Sequence, residues 1–258
     1  MIAAVTEIEA WLDRLYVAAP GATLRDEERK KARELPGLLD ELARAVRACG
    51  KSPPELTIVD AAAGKAYLGL LAGPLVLAPE GRRARIVLIE REPDRVESAR
   101  TAAARVTGSG PGWHVEALCG DVADVALWPE TPDIVVALHA CGEASDHVIA
   151  RATAARARHI LLAPCCIADS IPAAARALAR AEAMGLPRHA PVRRHFVQAL
   201  VEAERTLALE AAGYETVVAP FAAPTVTPHG LVWRARRVGE PTRMAAAAAD
   251  LARLRGAA

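Results

Sequence analysis

The stretch from residue 55 to residue 73 constrains the fold of this 258-residue chain more than any other feature. A short apolar run over residues 56–59 ends on Asp60, and three alanines and Gly64 follow it. A helical pattern of apolar residues begins directly afterwards. This order is typical of a buried strand, a tight turn and the N-terminus of a helix. In doubly wound α/β folds, such a turn binds a nucleotide-like cofactor.

The charge at this turn indicates which kind of cofactor fits. A dinucleotide brings a pyrophosphate, which binds exposed N–H groups and is repelled by an adjacent carboxylate. Asp60 places a carboxylate at the end of the strand. S-adenosylmethionine carries a sulfonium and an ammonium group, so Asp60 favours this cofactor over NAD. The alternative is that Asp60 only caps the following helix.

Composition excludes several classes of protein. Hydrophobic residues make up 52% of the chain and charged residues 24%, which indicates a globular protein and not a disordered one. The net charge of +1 and the aromatic content of 3% give no bulk basicity and few stacking platforms for nucleic acid. We find no signal peptide and no membrane-spanning apolar run, and we expect a cytoplasmic protein. Five cysteines, an odd number, suggest no disulfide framework.

Strands and helices alternate along the rest of the chain, which predicts a mostly parallel sheet. After the first strand, four more are predicted over residues 85–90, 113–119, 133–138 and 159–163. The last two, over residues 214–220 and 231–238, are not separated by a helix, so we expect them to pair antiparallel. The predicted fold is α/β, with a Rossmann-like, seven-stranded, mostly parallel sheet, one antiparallel strand in the edge region and helices on both faces.

The chain divides into three predicted segments. Residues 1–52 form an N-terminal helical extension, residues 53–240 the main domain and residues 241–258 a C-terminal helical tail. Apolar side chains at helical spacing make the extension amphipathic. It either packs on the core or forms a lid on the substrate side.

The carboxyl ends of parallel strands meet at one edge of the sheet, where ligands bind. Glu90 ends the second strand and can accept hydrogen bonds from two ribose hydroxyls. Asp121 follows the third strand and can accept from an adenine amino group, while the Val122 N–H can donate to the ring. Gly64 allows the backbone to approach a ligand closely. Alternatively, Glu90 bonds only local backbone and Asp121 is a turn residue.

Three segments resemble motifs of class I S-adenosylmethionine-dependent methyltransferases. Residues 60–68, DAAAGKAYL, resemble the motif D-x-G-x-G-K-G-Y-L of one subgroup. Residues 137–146, ALHACGEASD, are similar to its fourth motif, L-H-A-C-G-x-A-[ST]-D, and residues 164–166, PCC, match the next. The subgroup includes the methyltransferase domain of the glutathione S-transferase C-terminal-domain-containing protein and, more remotely, tRNA 2′-O-methyltransferases. The resemblance covers about residues 55 to 238.

Together with the strand-end acids, the resemblance implies methyl transfer from S-adenosylmethionine and a set of site residues. Ala62 and Ala66 replace two motif glycines, and each adds one methyl group beside the cofactor. The implied cofactor-binding residues are Asp60, Ala62, Gly64, Glu90, Asp121, Val122 and His139. Those implied on the methyl-acceptor side are Ala140, Cys141, Gly142, Pro164, Cys165 and Cys166.

His139 is the candidate general base, because an imidazole titrates near neutral pH. The alternative is a structural histidine bonded to backbone. Asp146 either orients His139 or a substrate, or is a first-turn acid favoured by the helix dipole. Lys65 is a possible helper.

Two further clusters keep alternative interpretations. His139 and the three cysteines of the motifs could converge on a metal, but no C-x-x-C spacing supports this, and we predict no metal site. A nucleophilic Cys165 or Cys166 is a weaker idea. A basic run over residues 188–195 either contacts RNA phosphates or is an ordinary helix flank.

The sequence does not identify the methyl acceptor. Resemblance favours RNA, either tRNA or rRNA, whereas the low net charge and the few aromatic residues oppose it. A small molecule or a protein stays open. The competing function is a non-catalytic binding protein with a degenerate methyltransferase fold, and a nicotinamide oxidoreductase is a distant third.

Overall fold

In a computed structural model of the chain, the described residues are 4–17, 22–106, 112–164, 166–168, 171–227 and 230–256. One seven-stranded sheet forms the centre, in the order β3-β2-β1-β4-β5-β7-β6. Its strands are β1 Glu55–Ala61, β2 Arg83–Glu90, β3 Trp113–Cys119, β4 Ile134–Leu138, β5 His159–Ala163, β6 Tyr214–Pro220 and β7 Leu231–Arg237. The first five run parallel, and β7 runs antiparallel to both of its neighbours. The predicted fold class is confirmed.

Eight α-helices surround the sheet in the described part of the chain. They are α1 Val5–Tyr16, α2 Asp26–Ala48, α3 Tyr67–Ala72, α4 Pro93–Val106, α5 Ala144–Ala154, α6 Pro172–Ala183, α7 Ala190–Ala211 and α8 Pro241–Arg255. Helix α3 continues into a π-helical turn, Gly73–Leu77. None of these helices combines the length and apolarity needed to cross a membrane.

The central strands are apolar on both faces because helices cover both faces. Successive residues of a strand point to opposite sides, so Ile58 and Val59 join different clusters. The cluster around Ile58 contains buried residues of α1, α2, α3 and α4. The cluster around Val59 contains residues of α5 and α7. The carboxyl ends of β1 to β5 therefore meet at one edge, between two helical layers.

Helix α2 lies unusually close to the backbone of the loop between β6 and β7. A Cβ atom on Gly37 would lie 1.9 Å from the carbonyl oxygen of Phe221. Only a residue without a side chain allows this approach. The contact fixes the middle of α2, with Leu35 and Leu42 fully buried nearby in the helix. The N-terminal helices thus pack on the core, the first of the two predicted alternatives.

Candidate functional site

The loop between β1 and α3 is bonded to the end of β2. The Gly64 N–H donates to Glu90 Oε2 at 2.7 Å, and the Glu92 N–H donates to Oε1 at 3.0 Å. The Ala63 N–H donates to the carbonyl of Ile89 at 3.0 Å. A carboxylate offers about four acceptor positions, so Glu90 has two left for a ligand. The structure therefore brings Gly64 and Glu90 together, through the local backbone bonding that was the alternative role of Glu90.

Asp60 lies beneath this loop. Its side chain is buried, and Oδ2 accepts a hydrogen bond from the Gly69 N–H at 2.9 Å. Gly69 is the third residue of α3, so Asp60 satisfies one of the N–H groups left free at the helix start. Burial raises the pKa of Asp60 to about 7, which the charge of Glu90 reinforces and the Gly69 hydrogen bond opposes. The capping role is therefore realised by the folded chain.

Three residues of the loop have left-handed backbone conformations. The φ angles are 55° at Ala62, 59° at Gly64 and 58° at Ala66. This region is open to glycine and costs other L-residues roughly 1–2 kcal/mol. The two alanines that replace motif glycines thus occupy positions that suit glycine.

Replacing Ala62 by glycine is expected to raise the free energy of unfolding by about 1 kcal/mol, because it relieves a left-handed alanine. Replacing Ala66 by glycine should change stability little. Its methyl group is fully buried, and its loss costs about 0.8 kcal/mol, which offsets the relief. Urea unfolding of the two variants measures the difference. A stability loss in Ala62→Gly would show that the added freedom of the unfolded chain outweighs the relief of strain at this position.

His139 is held by a glutamate of the N-terminal helices. Its Nε2 lies 2.9 Å from Glu34 Oε2, and its N–H donates to the carbonyl of Ala163 at 2.8 Å. The residue has a φ of 58°, a strained conformation that marks functional positions when the surroundings enforce it. Lys31 Nζ lies 2.7 Å from the same Glu34 oxygen. His139 therefore ends β4 in a fixed orientation.

Glu34 is buried, with a side chain only 2% exposed. Burial alone would raise the pKa of Glu34, but the hydrogen bonds from His139 and Lys31 outweigh it and bring that pKa below its ordinary value. Glu34 is therefore ionised at neutral pH and accepts a hydrogen bond from His139 when Nε2 carries a proton. In the neutral tautomer with that proton, Nδ1 of His139 is the proton acceptor.

A second buried glutamate holds the loop after β1. Glu28 Oε1 lies 3.1 Å from Lys65 Nζ and 3.5 Å from the Tyr67 hydroxyl, and Arg25 also pairs with it. Burial would raise the pKa of Glu28, but Arg25 and Lys65 lower it to about 2. The Tyr16 hydroxyl donates to the Lys65 carbonyl. Helices α1 and α2 therefore bind the loop between β1 and α3 from one side.

Neither glutamate was predicted from the sequence, because the charged run over residues 25–31 is typical of a solvated face. One signal could have found them. Glu28 lies seven residues before Leu35, and Glu34 lies four before Leu38, so both fall on the apolar face of α2. An acid on such a face is buried and needs a partner.

Asp121 and Val122 follow β3. The Asp121 side chain is exposed, and Oδ1 accepts from the Ala123 N–H at 2.8 Å, as in a turn. The same oxygen lies 3.9 Å from His147 Nδ1. The Gly120 N–H donates to the carbonyl of Glu90 at 3.0 Å, which places the start of this turn beside Glu90. Val122 is buried.

The residues expected on the acceptor side lie at the ends of β4 and β5. Ala140 is buried and its carbonyl accepts from the Ser145 hydroxyl, while Gly142 has a φ of 60°. Pro164 follows the last residue of β5, and Cys165 lies outside the described residues.

Two of the motif cysteines lie close together. Cys141 is disulfide-bonded, which was not predicted from the sequence. The Sγ atom of Cys166 lies 2.8 Å from that of Cys141. Within the described ranges, no group of three or more His, Cys, Asp or Glu side chains is placed to hold a metal ion.

Asp146 pairs with an arginine of α7. Its Oδ1 lies 2.8 Å from Arg205 Nε, and its Oδ2 lies 3.1 Å from Nη2. Nη2 also lies 3.3 Å from the carbonyl oxygen of Gly142. Asp146 thus bonds Arg205, whereas the imidazole of His139 bonds Glu34, and the role of Asp146 in orienting His139 or a substrate stays a prediction. No role for Arg205 was predicted from the sequence.

The basic run is partly used at the junction of α6 and α7. Arg193 contacts Glu182 at 3.4 Å and the carbonyl of Leu186 at 3.2 Å. Arg188 lies 3.9 Å from the same glutamate. Arg194 and His195 are exposed. These contacts are those of a helix flank, the second of the two interpretations of the run.

Comparisons with known proteins agree with this geometry. A family model described as a methyltransferase domain matches residues 30–170, more than half of the chain. No curated protein matches the chain. A methyltransferase from Podospora anserina with bound SAH is 14% identical, with 92% of this chain and 89% of that chain covered and a TM-score of 0.51.

Two further solved structures are similar to this chain. The CMeT domain of the citrinin polyketide synthase is 14% identical, with 90% of this chain and 60% of that chain covered and a TM-score of 0.50. Magnesium protoporphyrin IX methyltransferase from Synechocystis PCC 6803, with bound SAM, is 15% identical, with 89% and 90% covered and a TM-score of 0.48. At these identities, the similarity concerns the fold alone.

Proposed function

Because this chain belongs to the methyltransferase domain family, we propose that it binds S-adenosylmethionine at the ends of β1 to β4 and transfers the methyl group to an acceptor. The bonding of the Gly64 loop to Glu90 carries this proposal. It places the small residues 62–64 beside a carboxylate that keeps two acceptor positions. SAM or SAH is bound in two of the three similar structures described above.

The chemistry of the site suits a cationic ligand. Asp60, Glu90 and Asp121 end or follow the first three strands. The raised pKa of Asp60 means that the free site carries less negative charge near neutral pH than three carboxylates would. A sulfonium or ammonium nearby would favour ionisation of Asp60. The proposed cofactor-binding residues are Asp60, Ala62, Gly64, Glu90, Asp121, Val122 and His139.

When bound, S-adenosylmethionine supplies a methyl group on its sulfonium sulfur, and after the transfer this sulfur is a neutral thioether. The residues of the chain position the acceptor, and in-line displacements depend mainly on positioning. His139 Nδ1 accepts the proton that a hydroxyl or amine acceptor loses, with Glu34 fixing the ring through Nε2. The residues proposed for the acceptor side, as the motifs imply, are Ala140, Cys141, Gly142, Pro164, Cys165 and Cys166.

The sequence motifs and the charges of the chain point to different acceptor classes. The motifs over residues 137–146 and 164–166 resemble those of a subgroup to which tRNA methyltransferases are remotely related. The net charge of +1 and the engagement of Arg193 with Glu182 favour an acceptor other than RNA. A second function, a binding protein that has lost catalysis, is favoured by the left-handed alanines at positions 62 and 66.

Calorimetry with S-adenosylmethionine tests the proposal. We expect binding that releases about half a proton or more at pH 6.5, because a cation lowers the raised pKa of Asp60. Titrations in two buffers of different ionisation enthalpy measure this release, which should disappear in Asp60→Asn. The absence of both binding heat and a thermal shift at millimolar ligand would contradict cofactor binding. If the cofactor binds, mass spectrometry of incubated acceptors decides between an enzyme and a binding protein.

A further inference from the structure

A cavity of about 560 Å³ lies beside the acceptor-side loop, where the first turn of α5 meets α6, α7 and the end of α8. A second cavity of about 220 Å³ adjoins it. The two share Asp146, Ala173, Glu204 and Arg255 as lining residues. Together they make a space between helices that is large enough for a small molecule.

Arg205 lines the smaller cavity and is pre-organised there. Its side chain is 3% exposed and is held at two points by Asp146, with a third contact to the Gly142 carbonyl. Its remaining nitrogen, Nη1, is buried and has no hydrogen-bond partner among the described residues. Buried donors are almost always paired, so an unpaired guanidinium N–H indicates a missing acceptor.

Arg176 repeats this pattern in the larger cavity. Its Nη2 bonds Glu204 at 2.6 Å, and Arg255 Nε bonds the same oxygen at 2.8 Å. Arg176 Nε is buried and lacks a partner in the described part of the chain. Two buried arginine donors, on residues that line adjoining cavities, therefore lack an acceptor.

The charged groups around the cavities nearly balance. Three guanidinium groups, those of Arg176, Arg205 and Arg255, are bonded to only two carboxylates, Asp146 and Glu204. Glu143 and His147 also line the larger cavity, and Glu143 is exposed. With Glu143 counted, three carboxylates face three guanidinium groups, and a lining without a large positive charge suits a ligand with a single negative charge better than a dianion.

We propose that these cavities bind the carboxylate of a small-molecule methyl acceptor, with Arg205 Nη1 and Arg176 Nε as its donors. Arg205 links this site to the proposed methyl-transfer site, because it bonds the carbonyl of Gly142, three residues after His139. A donor that is almost fully buried cannot follow the repeating phosphates of an RNA backbone. The proposal rests on the proposed function and specifies its acceptor class.

The test uses benzoate as the probe, with benzamide as its neutral counterpart and phenyl phosphate as the dianion. We expect benzoate to saturate the protein in ligand-observed NMR, and both other compounds to bind at least about tenfold more weakly. Arg205→Lys keeps the charge but cannot bond Asp146 twice and also reach the cavity, so it should weaken benzoate binding about tenfold or more. Arg176→Lys should act in the same direction. Arg194→Lys, at an exposed position of α7, is the matched control and should bind benzoate as the parent does.

Circular dichroism of each variant shows whether it folds. If Arg205→Lys does not fold, benzoate binding by Arg176→Lys tests the proposal. The side chain of Arg176 is 38% exposed, so its replacement is better tolerated. Three results would each overturn the proposal. They are equal binding of benzoate and benzamide, tighter binding of phenyl phosphate than of benzoate, and undiminished benzoate binding by the folded Arg205→Lys variant or, in its place, by Arg176→Lys. Displacement of benzoate by S-adenosylmethionine would assign the cavities to the cofactor and overturn it as well.

Cofactor calorimetry on the same samples separates the two proposals. Binding of S-adenosylmethionine without binding of benzoate removes only the acceptor inference. Binding of benzoate without S-adenosylmethionine contradicts the proposed function, while the carboxylate site itself stands.

Discussion

Replacing Asp60 by asparagine is expected to raise the free energy of unfolding by about 4 kcal/mol at pH 8 and by less than about 1 kcal/mol at pH 4. Burial raises the pKa of Asp60 from an ordinary value near 3.8 to about 7. The folded state therefore holds this proton more tightly than the unfolded state. Each unit of the difference is worth about 1.4 kcal/mol.

The sign follows from the raised pKa. Ionisation of Asp60 costs the parent protein stability progressively as the pH rises from about 4 to 7, and the loss is complete above that range. Asparagine carries no charge and keeps an oxygen for the Gly69 N–H. Guanidinium unfolding of both proteins across this pH range measures the difference. A pH-independent difference for Asp60→Asn would contradict a raised pKa.

Replacing Gly37 by alanine is expected to lower the free energy of unfolding by about 3 kcal/mol. Helix propensity alone predicts the opposite, a gain of about 1 kcal/mol. The steric clash outweighs this gain because the new Cβ would lie 1.9 Å from the Phe221 carbonyl oxygen, and neither backbone can move independently of its element. Thermal or denaturant unfolding measures the loss.

This substitution should also reach the functional site. A shift of α2 away from Phe221 moves Glu34, one turn earlier, and loosens its bond to His139. The imidazole resonances of His139 in NMR spectra report that change. Arg33→Ala, at an exposed position of the same helix, should alter stability by no more than about 0.5 kcal/mol. A stable Gly37→Ala variant with an unchanged histidine spectrum would show that the contact with Phe221 is easily relieved.

The sheet and its helices were predictable because their signals are local. The ranges Trp113–Cys119, His159–Ala163 and Tyr214–Pro220 agree with the prediction at both ends. Apolar runs bounded by turn residues fix such strands, and two strands without a helix between them fix the antiparallel pair. The position of Glu90 at the end of β2 followed from the same pattern.

Side-chain partners across the fold were not predictable in this way. Glu34 and His139 are separated by 105 positions, and Arg205 and Asp146 by 59. No local period links such pairs, and only the packed arrangement of α2 on β4 and of α7 on α5 brings them together. The burial of Asp60 was not predicted either. A carboxylate that ends a strand can point into the ligand crevice or under the next helix, and the local sequence does not distinguish the two.

The contacts of α1 and α2 with the loop between β1 and α3 have a practical consequence for choosing expression boundaries. The family match begins at residue 30, inside α2, so a clone that starts at this residue and keeps the rest of the chain would omit Tyr16 and Glu28. Such a protein would keep its sheet but lose the anchors of Lys65 and Tyr67. Any shortened version intended for ligand screening should therefore retain the chain from α1 onward.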